Sequence, residues 1–134
     1  MKSKKILILV LILVIVIGGA AAFFLLKTPK SEQTTQLYEY AIKDSFVTNV
    51  KDSSKLFKTT IVLVVNKDKM STFFDDNEYT IRDTILFMLR NLTEQDIKSD
   101  DIQAQLRESI PKALNSALKI DNIVSIYFSD FVMQ

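Results

Sequence analysis

Residues Ile6 to Leu26 form an unbroken apolar run of about 20 residues, the length a helix needs to cross a bilayer. Lys2, Lys4 and Lys5 crowd its start with no acidic residue among them, while Lys27 and Lys30 at its far end are soon followed by Glu32. The positive-inside bias then predicts a cytoplasmic N-terminus and an external remainder. Inside the run, no side chain is charged and none carries an amide or hydroxyl, the groups that proton paths and substrate sites within a membrane require. The segment therefore reads as an anchor. Gly18, next to Gly19, and Ala22 form a small-xxx-small pair that lets two helix backbones approach closely, a weak pointer to self-association.

Two other readings of this stretch stay open. A buried core helix can be as apolar, although such runs are usually shorter and rarely follow a lysine cluster at a chain start. A cleavable signal peptide would use Ile6 to Ile17 as its apolar region and Ala20 to Ala22 as its processing site. Phe23, Phe24, Leu25 and Leu26 carry the run past that site, as a span would. A lipidated cysteine is excluded, because the chain has no cysteine.

The predicted organisation is a cytoplasmic tail at 1–5, a transmembrane helix at 6–26, a stalk at 27–36 and one external domain at 37–134. A domain of about 100 residues is long enough to bury a single core. Removing Lys2, Lys4 and Lys5 from the 17 basic residues leaves 14 against 16 acidic ones, so the external part carries a formal charge of −2. That balance offers no footprint for nucleic acid.

Period-two alternation through Tyr38, Tyr40 and Ile42, extended by Phe46 and Val47, predicts a strand over 38–50. Lys51 to Ser54 reads as a turn, and Leu56 to Val65 as a central strand whose last five residues are all apolar. Ile81, Ile85, Leu89 and Leu92 recur at helical spacing, and Glu78 precedes Arg82 in the favourable i,i+4 order, predicting a helix over 78–92. Asp100 with Gln103 resembles a capping box opening a second helix over 101–118, with Ile102, Leu106, Ile110, Leu114 and Leu118 as its buried stripe. Pro111 predicts a kink in that helix or its division in two. Val124, Ile126 and Phe128 alternate with Ser125, Tyr127 and Ser129 in a final strand over 123–133. The fold class is α+β, with antiparallel strands packed on two helices.

Catalysis has little to draw on. The chain has no histidine and no cysteine, which removes Ser-His and Cys-His nucleophiles and any His-containing metal site. Asp75 with Asp76 and Asp100 with Asp101 are adjacent pairs, which do not face each other as an acid and base must, and they read as solvated helix starts. Asp75, Asp76, Asn77 and Glu78 are all oxygen ligands, but the glycine of a calcium-binding loop is missing from the group. Both glycines lie at 18 and 19, so no glycine-rich phosphate loop exists. No catalytic, metal or cofactor-binding residue is expected, and the chain is not expected to be an enzyme.

Several motifs, in a fixed order after a lysine-led anchor and polar stalk, resemble those of the flagellar basal-body-associated FliL family. They are Phe46-Val47-Thr48-Asn49-Val50, Ile81-Arg82-Asp83 followed by Ile85-Leu86, Leu106-Arg107, Asn115 with Leu118, and Val124 to Gln134. The closing segment carries most weight. That family ends in V-x-x-V-Y-F-T-x-F-V-x-Q, and here Tyr127, Phe128, Phe131 and Gln134 keep their places while Ser129 stands for the threonine. The resemblance implies a single-span inner-membrane protein with a domain similar to the stomatin-like SPFH fold. It also implies association with the flagellar basal body and the stator proteins MotA and MotB, assembly as homo-oligomeric rings, and a structural part in flagellar rotation, swimming, swarming and chemotaxis. A stomatin-like membrane scaffold unconnected with flagella, or a signal-cleaved secreted binding domain, would share many of these features.

Overall fold

The computed structural model describes residues 36–134. The anchor positions Ile6, Gly18, Gly19, Ala22 and Leu26, and the stalk through residue 35, lie outside the described residues. Among the described residues no helix is long and apolar enough to cross a membrane.

Four strands, β1 (Tyr38–Ala41), β2 (Phe46–Asn49), β3 (Leu56–Val65) and β4 (Ile123–Met133), form one antiparallel sheet. The β4 strand pairs with β3 from Phe57 to Val65 and so occupies one of its two edges. The other edge is shared, with β1 opposite 62–65 and β2 opposite 56–59. The single strand expected over 38–50 is therefore two. Asp44, at φ 62°, turns the chain into the left-handed region between them, which a short polar side chain tolerates better than most.

Four helices follow β3: α1 (Ser71–Asp76), α2 (Glu78–Arg90), α3 (Glu94–Lys98) and α4 (Ile102–Leu118). The sequence pattern showed two of them. In α2, Ile81, Ile85 and Leu89 are buried, and in α4 Ile102, Leu106, Ile110 and Leu114 are, with Leu118 half-buried. Each of the fully buried side chains contributes roughly 1.5–3 kcal/mol by leaving water. They meet Phe46, Phe57, Ile61, Leu63 and Ile126 from the inner face of the sheet in one core. The α2 helix lies against β2 and α4, and α4 lies against β4.

Several local expectations are corrected. The α4 helix runs unbroken through the buried Pro111, so it is not two helices, and the hydrophobic contacts of its stripe outweigh the one hydrogen bond that proline removes. The capping box is at Thr93 and Asp96, opening α3, because Asp96 can reach back to the Thr93 N–H (2.9 Å) while Thr93 Oγ1 accepts from the Asp96 N–H (3.2 Å). Asp101, the residue before α4, makes no side-chain cap bond, and Asp100 sits in the preceding turn. Asp75 and Asp76 end α1 rather than start a helix. Val124 is exposed because an irregularity between its neighbours shifts the register of β4, which breaks its expected alternation with Ile126 and Phe128.

Candidate functional site

The residues picked out by the sequence motifs separate into internal fasteners and surface positions. Arg82, on the side of α2 facing β2, donates to the carbonyl oxygens of Lys43 (2.8 Å) and Ser45 (3.2 Å) in the turn between β1 and β2. Its guanidinium lies 4.6 Å from the centre of the buried Phe46 ring, a cation–π arrangement. Arg82 thus fixes the strand break to the helix, and it is not in an ion pair with Glu78. A planar fork with five donors suits two carbonyls and a ring face at once, which a lysine ammonium would not.

Asn115 does the same at the other end of the core. Its side-chain amide donates to the Ile123 carbonyl and accepts from the Ile123 N–H, tying α4 to the first residue of β4. At the sheet's end, Gln134 exchanges two backbone bonds with Leu56, of 2.9 and 2.8 Å. Phe131 packs edge-on against Phe57 and Phe128, with centroids 4.7 and 5.3 Å away. Leu106 is core. The remaining motif positions, Asn49, Asp83, Arg107 and Tyr127, are exposed.

Sequence reasoning missed two polar clusters, because both join residues far apart in the chain. Tyr40 donates to Asp75 Oδ1 (2.9 Å), and Lys43 Nζ lies 2.9 Å from the same oxygen. Partial burial first, and the Asp75 carboxylate second, push the Tyr40 hydroxyl up to about 12. That phenol stays protonated and cannot serve as a base near neutrality, while hydrogen bonds from Lys43 and Tyr40 hold Asp75 below the usual carboxylate range. In the second cluster, Glu94 accepts from Lys55 Nζ (2.7 Å) and Ser53 Oγ (2.6 Å), with Lys98 at 3.5 Å. These partners lower Glu94 to about 2, Lys55 contributing most. Both clusters fasten a loop to a helix, and each acid is already engaged by its cation.

A cleft of about 340 Å³ opens beside β1, lined by Tyr38, Tyr40, Lys67, Asp68, Lys69 and Met70 among others. Its lysines are balanced by Asp68 and Glu39. The outer face of the sheet presents a different surface. Val47 and Val132 flank Lys58 in one cross-strand row, and Ala41, Val62 and Tyr127 form another. Between them Asp130 Oδ2 accepts from Thr60 (2.7 Å), which also bonds Ser45.

Residues 39–134, nearly all of the described domain, match the family described as flagellar basal body-associated protein FliL. The chain belongs to that family. It is also similar to the flagellar protein FliL of Aquifex aeolicus (strain VF5), with 26% identity over 110 residues, covering 81% of this chain and 68% of that protein. The family is one of flagellar accessory proteins and not a known enzyme family. Its match runs from the second residue of β1 to Gln134, just past β4, so the fastening residues Arg82 and Asn115 and the exposed Asp83 and Tyr127 all fall within it.

Proposed function

We propose that this chain is a non-catalytic, membrane-anchored component of the flagellar basal body that associates with the stator proteins MotA and MotB and supports rotation, swimming, swarming and chemotaxis. The observation that carries this reading is the family match over residues 39–134. In this reading Ile6 to Leu26 cross the inner membrane once, residues 1–5 are cytoplasmic, 27–36 form the stalk and 37–134 lie outside the cytoplasmic membrane. The charge-free run at 6–26 and the lysines before it support that topology. The antiparallel sheet backed by helices is in keeping with a stomatin-like fold, and self-association as a homo-oligomer or ring accompanies the scaffold role. No cofactor is assigned.

The domain acts by occupying space beside the stator, and the anchor concentrates it there. A clean deletion strain should lose swarming on stiff agar more severely than swimming in liquid, and the full chain should restore it. The full chain should also co-purify with MotB from membranes. Normal motility of the deletion strain under high load would remove the motor assignment, and full rescue by an exported chain starting at residue 31 would remove the role of the anchor.

A further inference from the structure

On the side of α2 turned away from the core, Tyr79, Asp83, Phe87 and Arg90 follow one another at spacings of four, four and three residues. At about 100° per residue these four positions fall within an arc of roughly 80°, opposite the stripe of Ile81, Ile85 and Leu89. Tyr79 is 89% exposed and Phe87 69% exposed, the two most open large hydrophobic side chains among the described residues. Asp83 and Arg90 are also exposed, and neither is in an ion pair among the described residues. Single exposed apolar residues need no explanation, whereas two aromatic rings in register with two unpaired opposite charges do.

We propose that this face of α2 is the contact between two copies of the chain, packed antiparallel about a two-fold axis. The charges fix the partner. Asp83 and Arg90 are separated by about 10 Å along the helix, and their midpoint lies between residues 86 and 87. A two-fold axis through that midpoint sets Asp83 level with Arg90 of the second copy and, by symmetry, creates the same pair again. Phe87 then lies within about 0.8 Å of the axis measured along the helix, so it and its counterpart face each other near the centre of the contact. Aromatic groups at the middle with charges around them are the usual anatomy of an interface. The proposal deepens the self-association named in the reading above. A ring built from such two-fold pairs needs a second, different surface to close.

The chain has no cysteine, so a single introduced thiol reports on this contact without background. The full chain bearing Phe87→Cys, in membranes under mild oxidation, should form a disulfide-linked dimer at least roughly tenfold faster than one bearing Lys112→Cys, an exposed control on α4. Adding Asp83→Arg to the Phe87→Cys chain should return cross-linking to the control rate, and so should adding Arg90→Asp. Mixed together, the two charge variants should cross-link with each other at the original rate, because each then offers the charges the other lacks; this recovery also shows that both are folded. The proposal is overturned if Phe87→Cys is no faster than the control, if its cross-linked product contains another protein, or if the mixture stays as slow as either variant alone. Loss of dimer with unchanged swarming would separate this contact from the motor role.

Discussion

Asn115 and Ile123 are joined by a closed pair of hydrogen bonds: Asn115 Nδ2 donates to the Ile123 carbonyl at 2.8 Å, and its Oδ1 accepts from the Ile123 N–H at 3.1 Å. The pair sets where β4 begins after α4. Asn115→Ala would leave both part-buried backbone groups without their partner, at a cost of about 1–3 kcal/mol for each that water cannot reach. Asn115→Asp keeps the acceptor but sets a carboxylate against the carbonyl. Both variants should lower the midpoint of chemical denaturation, and the Asp variant should recover part of its loss at acidic pH, where its carboxyl can donate.

Left-handed backbone without glycine makes a second prediction. Both glycines of the chain are at 18 and 19, so Asp44, Asp52, Lys69 and Lys119 fill the positive-φ positions of the domain. Lys119 ends α4 at φ 55°, with the Ile120 N–H bonded back to the Asn115 carbonyl at 3.0 Å. That is the place where helices favour glycine. Lys119→Gly should relieve about 1 kcal/mol of steric cost, less the extra freedom glycine gives the unfolded chain. A raised thermal midpoint is the expected outcome, and a lowered one would mean that the lysine stem contributes more by packing than the backbone loses.

Acid should loosen the turn between β2 and β3 before the core. Glu94 titrates near 2 in the folded protein and near 4.5 when unfolded, because Lys55 and Ser53 hold its carboxylate. A depressed folded pKa gives stability that is present above the unfolded value and is lost as pH falls through the folded one. The contribution should therefore fade between about pH 4.5 and 2. Glu94→Gln should show a shallower fall in denaturation midpoint across that window and should converge with the parent chain at its acid end.

The strands and the two long helices were legible because their signal is periodic. The bounds of β3 and β4 match the sequence reading, and those of α2 and α4 differ by two residues at most. What the sequence hid depends on partners distant in the chain. The break in the first strand reflects Asp44 entering the left-handed region and Arg82 capturing the carbonyls on either side, and neither signal lies in the alternation of Tyr38, Tyr40 and Ile42. The α1 helix was hidden because six residues are too few to show a helical period. Thr93 and Asp96 spelled a capping box, with aspartate where glutamate is usual, and the polar composition of 93–99 masked it. Of the motif residues, Arg82 and Asn115 have structural work visible in the fold, whereas Asp83 acquires a meaning only from its neighbours on α2.

Leu106 and Arg107 provide the sharpest test of how α4 faces the sheet, because they are adjacent, about 100° apart around the helix, and only the first is buried. Leu106 is buried among the core residues, while Arg107 is exposed and in no ion pair among the described residues. Leu106→Ala removes buried methyl groups and leaves a cavity that neighbouring side chains fill only in part, a loss of about 2–5 kcal/mol. Arg107→Ala removes a solvated side chain from a helix that alanine favours, so its effect should stay within about 0.5 kcal/mol. Urea titrations of the two variants should therefore differ widely in midpoint. Equal midpoints would mean that the helix is rotated from this orientation, and Pro111, also buried and five residues beyond Leu106, would be the first cause to examine.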